Sequence, residues 1–270
     1  MKIACIQPKI HDKVKDSFSE IDSLLKNLLN EFEECEIACL PERWSPFFPE
    51  ITQNIQKERG EYYFFLKELA SRYNINLLSG AIWEKRDTLK KPKITCYYFN
   101  HKGEEVGRQD KIHLYSYERE HFEPGKELNI FSLNKYRFAI LICFDMAFFE
   151  TPRLAVENGA DLLFSPTQIR EDGMENWKIY LQARVLENRI PAAACNSIGN
   201  VFNRSFLGNS KIISFVNGYF SPSKLKILEA PLASSGFVYA DIDLDFPGKL
   251  RKVRLNERIE KNEIKVNIIK

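Results

Sequence analysis

The chain has 270 residues, of which 44% are hydrophobic and 28% are charged, and it contains 20 Phe and 11 Tyr. This composition is typical of a globular domain with a sizeable core, and it excludes a disordered chain, which would be poor in aromatic residues. The 39 Lys and Arg residues exceed the 37 Asp and Glu residues by only +2. So small an excess argues against partners such as nucleic acid or an acidic membrane surface.

The N-terminus and the cysteines indicate where such a protein works. Residues 1–8 form too short an apolar run for a signal peptide, and they lack a small-residue cleavage site. No stretch approaches the roughly 20 apolar residues that span a bilayer. The six cysteines include no CxxC pair, and only four His are present, which predicts reduced thiols rather than disulfides or a metal site. We therefore expect a cytoplasmic protein without a cofactor or a metal.

The first half of the chain predicts strands and helices in alternation. Short apolar or alternating runs predict strands at 2–7, 37–40, 75–83, 94–99 and 105–109, and helical periodicity predicts helices at 14–32 and 61–73. The last two strands flank residues 101–104, where Gly103 predicts a hairpin turn. This alternation favours an α/β architecture with covered sheets.

The second half continues the pattern. Strands are predicted at 131–133, 137–142, 162–164, 192–196, 211–216, 226–229 and 237–242, and helices at 148–158 and 175–188. No repeat, linker or composition break divides the chain, so we predict one domain over residues 1–250. Residues 251–270 form a charged, sparsely apolar tail, which either docks on a neighbouring subunit or frays.

Three reactive side chains follow predicted strands, namely Glu42, Lys111 and Cys143. Because open α/β sheets bind ligands outside the carboxyl ends of their strands, we expect the three to meet in a crevice. Each has a simpler alternative. Glu42 could be a surface carboxylate, Lys111 a solvated charge and Cys143 a small buried apolar residue, which is the commoner fate of a cysteine that ends an apolar strand.

Longer motifs surround these three residues. Residues 111–125 contain K-x-H-L, then Glu118, then F-x-P-G, and residues 143–153 contain C-x-D, then Glu and Arg, while Glu42 follows a proline. Further matching motifs lie at 159–163, 177–196 and, more weakly, 206–210. Together and in this order they resemble the nitrilase superfamily, the carbon–nitrogen hydrolases, and in particular its amidase-like branch, over most of the chain.

The resemblance implies a four-layer α-β-β-α sandwich and a triad of Cys143, Glu42 and Lys111. Elementary chemistry agrees, because a thiol with a pKa near about 8.5 needs a proton acceptor or a nearby cation before it attacks. Glu42 can take that proton and later activate water, which a carboxylate does well only in an enclosed site. Lys111 and the backbone N–H of Phe144 can stabilise the oxyanion, and such a donor contributes about 2.7–4 kcal/mol.

The resemblance also assigns supporting roles near the triad. Glu118 matches a second glutamate that orients the lysine and the substrate amide, although a solvated charge is its alternative. Glu150 and Arg153 are expected to hold the cysteine turn. His113 is expected to be structural, because the resemblance gives the role of the base to Glu42 rather than to a histidine.

Two further residues, Ala147 and Thr167, are expected to bind the substrate or to support its site. Ala147 stands where ω-amidases carry an Arg that is expected to clamp a substrate carboxylate. An alanine at this position favours a neutral or cationic amide as the substrate, unless Arg170 in the loop 167–173 supplies the missing charge.

The predicted function is thiol-dependent hydrolysis of a small linear amide to a carboxylate plus ammonia or an amine, through a cysteine thioester. Hydrolysis of a nitrile or an N-carbamoyl compound on the same triad is an alternative, although nitrilases usually show C-W-E where residues 143–145 are C-F-D. A catalytically idle fold that binds a partner is a further alternative. An intact set of three polar groups argues against it.

The predicted helices 148–158 and 175–188 carry more apolar surface than one sheet face would cover. The residues concerned are Phe148, Phe149, Leu154, Trp177, Tyr180 and Leu181. We therefore expect a homodimer or a larger homo-oligomer built on a two-fold interface, which the resemblance also implies.

Overall fold

Strands and helices alternate along the computed structural model, which describes residues 1–259 and 261–269. The strands are β1 (Lys2–Gln7), β2 (Ile37–Cys39), β3 (Gln56–Lys57), β4 (Asn76–Leu78), β5 (Ile82–Lys85), β6 (Lys93–Phe99), β7 (Glu105–Asp110), β8 (Ile130–Leu133), β9 (Tyr136–Ile140), β10 (Leu162–Pro166), β11 (Ala192–Cys195), β12 (Ile198–Val201), β13 (Arg204–Leu207), β14 (Lys211–Phe215), β15 (Leu225–Glu229) and β16 (Gly236–Asp241). The α-helices are α1 (Val14–Glu31), α2 (Glu61–Arg72), α3 (Glu118–His121), α4 (Glu150–Glu157), α5 (Met174–Asn188) and α6 (Asp245–Asn256).

Two mixed sheets contain most of the strands. The first has the order β16-β1-β2-β4-β6-β5-β3, and β7 also pairs with β6. The second has the order β15-β14-β11-β10-β9-β8. Strands β1, β2 and β4 are parallel in the first sheet, and β9, β10 and β11 are parallel in the second. Each sheet therefore has a parallel centre whose carboxyl ends lie at one edge, where a site is expected.

Alternate side chains of each strand pack into different apolar layers. In β1, Ile3 and Cys5 belong to the core between the two sheets, whereas Ala4 and Ile6 pack with the buried faces of α1 and α2. The outer face of the second sheet packs in the same way against α4, α5 and α6. The result is a four-layer α-β-β-α sandwich in one domain, which confirms the fold that the sequence predicts.

One predicted strand, 75–83, is two strands in the structure. Strands β4 and β5 pair with different parts of β6, and the chain breaks between them at residues 79–81. Gly80 lies at the break with a φ of +66°, and a Cβ atom there would lie 2.1 Å from the carbonyl oxygen of Pro41. Trp44 Nε1 donates a hydrogen bond to the carbonyl oxygen of Ser79 at 2.8 Å. The break therefore accommodates the loop that carries Glu42.

The sequence analysis missed β3, α3, α6 and the two strands of the β12–β13 hairpin. Helix α6 crosses the predicted boundary at residue 250 and buries Phe246 and Leu250. The first residues of the predicted tail 251–270 are therefore helical. Glu260 and Lys270 of that tail lie outside the described residues, and docking of the tail on another subunit stays a prediction.

The apolar surface expected on α4 and α5 is smaller than predicted. Trp177 and Leu181 are buried in the core, and the Phe148 ring stacks on His113 with 4.2 Å between ring centroids. Phe149 and Tyr180 are 56% and 42% exposed.

Within the described residues, none of the helices combines the length and the apolar character that a membrane span requires.

Candidate active site

Glu42 is held where the two sheets meet. It lies three residues after β2, and its backbone N–H donates a hydrogen bond to the carbonyl oxygen of Thr167, just beyond β10, at 3.1 Å. The Thr167 hydroxyl donates to the carbonyl oxygen of Cys195 at 2.7 Å, and the residue is fully buried. Thr167 therefore supports the loop that carries the glutamate, and direct contact of Thr167 with substrate stays a prediction.

Lys111 lies between two carboxylates. It follows β7 directly, and its Nζ donates to Glu42 Oε1 at 2.6 Å and to Glu118 Oε1 at 2.8 Å. The exposed fractions of Lys111, Glu42 and Glu118 are 1%, 7% and 5%. Glu118 opens α3, and its second oxygen accepts the backbone N–H of Tyr115 at 2.7 Å. None of the three is a solvated surface charge, so that alternative is wrong for each.

The electrostatics of this cluster keep the lysine charged. Burial disfavours the ammonium, but the carboxylates of Glu42 and Glu118 outweigh it and hold the pKa of Lys111 well above its usual range. Burial raises the pKa of Glu118, and the repulsion from Glu42 adds to this while Lys111 opposes it. The site therefore contains a permanent cation between carboxylates that repel each other.

Cys143 begins a 3-10 turn, Cys143–Ala147, that follows β9. Its φ of 48° lies in the left-handed region, which a residue with a side chain rarely adopts and which often marks a functional turn. Among the six cysteines it is the one that is partly exposed. Burial and the charge of Glu42 raise the pKa of its thiol, while Lys111 and the backbone N–H of Gln168 lower it. These neighbours are a cation, a hydrogen-bond donor and a proton acceptor.

Asp145 connects the cysteine turn to the loop after Lys111, a role that the sequence analysis missed. Its fully buried carboxylate accepts the backbone N–H groups of Ile142 at 2.9 Å and of His113 at 2.7 Å. The His113 ring nitrogen Nδ1 lies 3.0 Å from the same carboxylate. The only sequence signal for this link was the aspartate in the C-x-D motif.

A second support for the turn comes from α5. Arg184 donates hydrogen bonds to the carbonyl oxygens of Met146 at 3.1 Å and Ala147 at 2.7 Å. Arg153, which was expected to hold the turn, instead donates to the carbonyl oxygen of Glu187 at 3.2 Å. That expectation was wrong, because the side chain of Arg153 is directed to the neighbouring helix.

The side chains converge on a cavity of about 240 Å³. The predicted residues that line it are Glu42, Lys111, Glu118, Cys143, Phe144 and Ala147. Those that the sequence analysis did not assign to it include Arg43, Trp83, Tyr117, Trp177, Arg204 and Phe206. Arg170 also lines the cavity, although its side chain pairs with Asp172 at 3.0 Å. In the described part of the chain, no three His, Cys, Asp or Glu side chains are grouped to hold a metal.

Comparison with known proteins finds similar sequences over most of the chain. Residues 2–252 match the family model described as carbon-nitrogen hydrolase. A probable nitrilase from Schizosaccharomyces pombe is 30% identical over 93% of this chain and 91% of that protein. The 2-oxoglutaramate amidase of Bacillus subtilis is 24% identical over 93% of each chain.

Solved structures show the same fold. Nit3 of Saccharomyces cerevisiae, a member of branch 10 of the nitrilase superfamily, superposes with a TM-score of 0.81 at 22% identity, covering 94% of this chain and 93% of that one. An amidase from Nesterenkonia sp. gives a TM-score of 0.78 at 23% identity, covering 95% of both chains.

Proposed function

The chain belongs to the carbon–nitrogen hydrolase family, and we propose that it hydrolyses a small linear amide to a carboxylate plus ammonia or an amine. One observation carries the proposal. The Glu42–Lys111–Glu118 ion cluster and the partly exposed Cys143 thiol line one cavity of about 240 Å³. A cavity of this size suits a small molecule rather than a protein chain.

In the first half-reaction Glu42 accepts the thiol proton and the Cys143 sulfur attacks the amide carbon. The carbonyl π electrons move to oxygen, and the ammonium of Lys111 stabilises the oxyanion with help from the backbone N–H of Phe144. The tetrahedral intermediate then collapses. Glu42 returns the proton to the departing nitrogen, so that ammonia or an amine leaves and a thioester on Cys143 remains.

In the second half-reaction Glu42 takes a proton from water, and the hydroxyl attacks the thioester carbon. Lys111 stabilises the second oxyanion in the same way as the first. Collapse expels the Cys143 sulfur, which recovers its proton from Glu42, and releases the carboxylic acid. Glu118 keeps Lys111 in place through its 2.8 Å contact, so it acts as a positioning residue.

Ammonia release from a panel of linear amides tests the reaction, with intact-protein mass spectrometry to trap the thioester on Cys143. We expect turnover of at least one amide and an acyl adduct that is lost in the Cys143→Ala variant. A panel on which the wild-type protein releases no ammonia, with the thiol demonstrably reduced, would overturn the proposal.

Nitrile hydrolysis is the second candidate, because the Schizosaccharomyces pombe relative is named a probable nitrilase. A nitrile gives a thioimidate on Cys143 instead of a tetrahedral oxyanion, so Lys111 would stabilise a different charge. Including nitriles and N-carbamoyl compounds in the same panel separates the candidates by relative kcat/KM.

We further propose that two copies of the chain pair through α4 and α5. Exposed apolar side chains support this, including Leu154 on α4, Ile179 on α5 and Phe149, which directly precedes α4. Light scattering at micromolar concentration is expected to give at least twice 31.5 kDa. Ile179→Glu should lower that mass, whereas Phe64→Glu, which changes a similarly exposed side chain on α2, should not. A wild-type mass of one chain would contradict the proposal.

We also infer that the enzyme works in the cytoplasm. All six cysteines are free thiols, as expected in a reducing compartment. Co-fractionation with a periplasmic or secreted marker would contradict this inference.

A further inference from the structure

Arg43 is a buried cation in the wall of the cavity. It follows Glu42 directly, lines the cavity and is only 4% exposed. Its guanidinium carbon lies 4.0 Å from the ring centroid of Trp83 and 4.2 Å from that of Phe47. The planes of these two rings meet at 82° and their centroids are 5.5 Å apart, so the rings contact adjacent sides of the guanidinium and leave N–H donors uncovered for a ligand.

One nitrogen of this guanidinium has no hydrogen-bond partner among the described residues. Arg43 Nη2 is buried without a hydrogen-bond partner, and the negative charges that act on the guanidinium, among them those of Glu42 and Glu118, make no hydrogen bond to it. Burial lowers the pKa of Arg43 to about 10, so the group remains charged at neutral pH. A buried charged donor without a hydrogen-bond partner is costly, and a ligand that supplies an anionic acceptor offsets that cost.

The rest of the cavity wall favours the same kind of ligand. Trp177 Nε1 is a second buried donor without an acceptor, and Trp177 also lines the cavity. Among the described residues, the buried polar side-chain atoms that lack partners and belong to lining residues are these two donors. The carboxylates of Glu42 and Glu118 are both engaged by Lys111. The wall therefore presents two buried donors that a ligand with an acceptor can satisfy.

We propose that Arg43 is the residue that determines substrate class, and that it binds a carboxylate at the end of the substrate remote from the amide. The inference rests on the proposed amide hydrolysis and names the substrates of the same site. A planar carboxylate matches the free edge of the guanidinium with two parallel hydrogen bonds. The neutral or cationic amide favoured by the sequence analysis leaves Arg43 without a partner, because that analysis considered only Ala147 and Arg170 as positions for the clamp.

Three amides of similar length test the proposal: succinamate, 4-oxopentanamide, in which a methyl ketone replaces the carboxylate, and the cationic 3-aminopropanamide. For the wild-type enzyme we expect kcat/KM for succinamate to exceed that for 4-oxopentanamide by about 10- to 150-fold, the range for a hydrogen bond to a charged group. We expect the cationic amide to be the poorest of the three, because Arg43 repels it.

The Arg43→Met substitution keeps an apolar side chain against the rings of Phe47 and Trp83 and removes the charge. It should lower kcat/KM for succinamate by at least tenfold, mainly through KM, and change that for 4-oxopentanamide by less than about threefold. Arg43→Lys should recover part of the loss for succinamate, because it restores the charge without the planar fork. Arg72→Met, which removes an exposed arginine on α2, is the matched control and should preserve both values.

A binding measurement covers the case in which Arg43→Met folds poorly. Succinate should slow alkylation of Cys143 by iodoacetamide in the wild-type protein, and 2,5-hexanedione, its neutral analogue, should not. Equal protection by both compounds, or equal loss of kcat/KM for the charged and neutral amides in Arg43→Met, would overturn the role of Arg43. If the wild-type enzyme hydrolyses none of the amides in the panel, the proposed function fails instead. If it hydrolyses them without regard to charge, only this inference fails.

Discussion

Cys143 and the cysteines of the inter-sheet core have the same side chain in two different settings. Cys39 and Cys195 end parallel strands and are fully buried between the sheets, and burial raises the pKa of each thiol. Burial also raises the pKa of Cys143, but its neighbours are Glu42, Lys111 and the backbone N–H of Gln168. The neighbours of Cys39 and Cys195 are other thiols. Burial alone therefore makes a thiol inert, and a cation with a proton acceptor is what makes one useful.

The largest expected effect is on kcat, and it should distinguish Cys143 from the buried Cys195 when each is replaced by alanine. Cys143→Ala should lower kcat by at least about 10⁴-fold, because no other group can form the thioester. Cys195→Ala should change kcat by less than about threefold. Ammonia release measures both, and circular dichroism checks the fold. Residual activity of Cys143→Ala within tenfold of wild type would show that the two settings do not differ in chemistry.

Removal of the Glu42 charge and removal of the Lys111 charge should shift the thiol pKa of Cys143 in opposite directions. Glu42→Gln keeps the shape but cannot accept a proton, and Lys111→Met keeps the length but removes the cation; each should lower kcat by about 10²–10³-fold. Loss of the Glu42 charge removes repulsion of the thiolate and lowers the thiol pKa. Loss of Lys111 removes attraction and raises it.

The pH profile of Cys143 alkylation measures these shifts directly. The rate should rise at lower pH in Glu42→Gln and at higher pH in Lys111→Met than in the wild-type protein. Alkylation of Cys195 is the internal control and should be slow in all three proteins, since that thiol is fully buried. Shifts in the same direction would mean that the two charges do not flank the thiol.

A smaller effect should follow from loosening the turn that presents Cys143. Asp145→Asn replaces a carboxylate oxygen with an amide group that cannot accept both backbone N–H bonds from Ile142 and His113. We expect a loss of about 2 kcal/mol in the free energy of unfolding and a fall in kcat of about 10- to 100-fold, because the nucleophile is displaced. Asp87→Asn, on an exposed carboxylate, is the matched control. Unchanged kcat and stability in Asp145→Asn would remove its role in the turn.

The sequence was sufficient for the parts of the molecule that local pattern determines. Buried apolar periodicity predicts α1 and α5, and a polar residue after each strand locates Glu42, Lys111 and Cys143. The resemblance supplied the sandwich and the grouping of the three side chains.

The features that the sequence did not predict depend on contacts between distant segments of the chain. The break at Gly80 arises because the Pro41 carbonyl passes within 2.1 Å of a Cβ position, which no local pattern encodes. Arg43 stacks on Phe47 and on Trp83 from another strand, so its place in the cavity wall required the folded chain. The supporting contact of Thr167 could not be predicted for the same reason, because its partner is the backbone of Glu42.

The smallest effect concerns stability and probes the core side of the comparison. Cys195 is 0% exposed in the inter-sheet core, so Cys195→Ala removes a buried sulfur and leaves a small cavity. The expected loss in the free energy of unfolding is about 1 kcal/mol, comparable to one buried methylene, with an unchanged m-value in urea. Cys143→Ala should lower the free energy of unfolding by less, because Cys143 is partly exposed. Its φ of 48° strains the backbone equally whether the residue is a cysteine or an alanine. If Cys143→Ala destabilised the protein as much as Cys195→Ala does, Cys143 would be a packing residue like the others, and the distinction between the two settings would rest on reactivity alone.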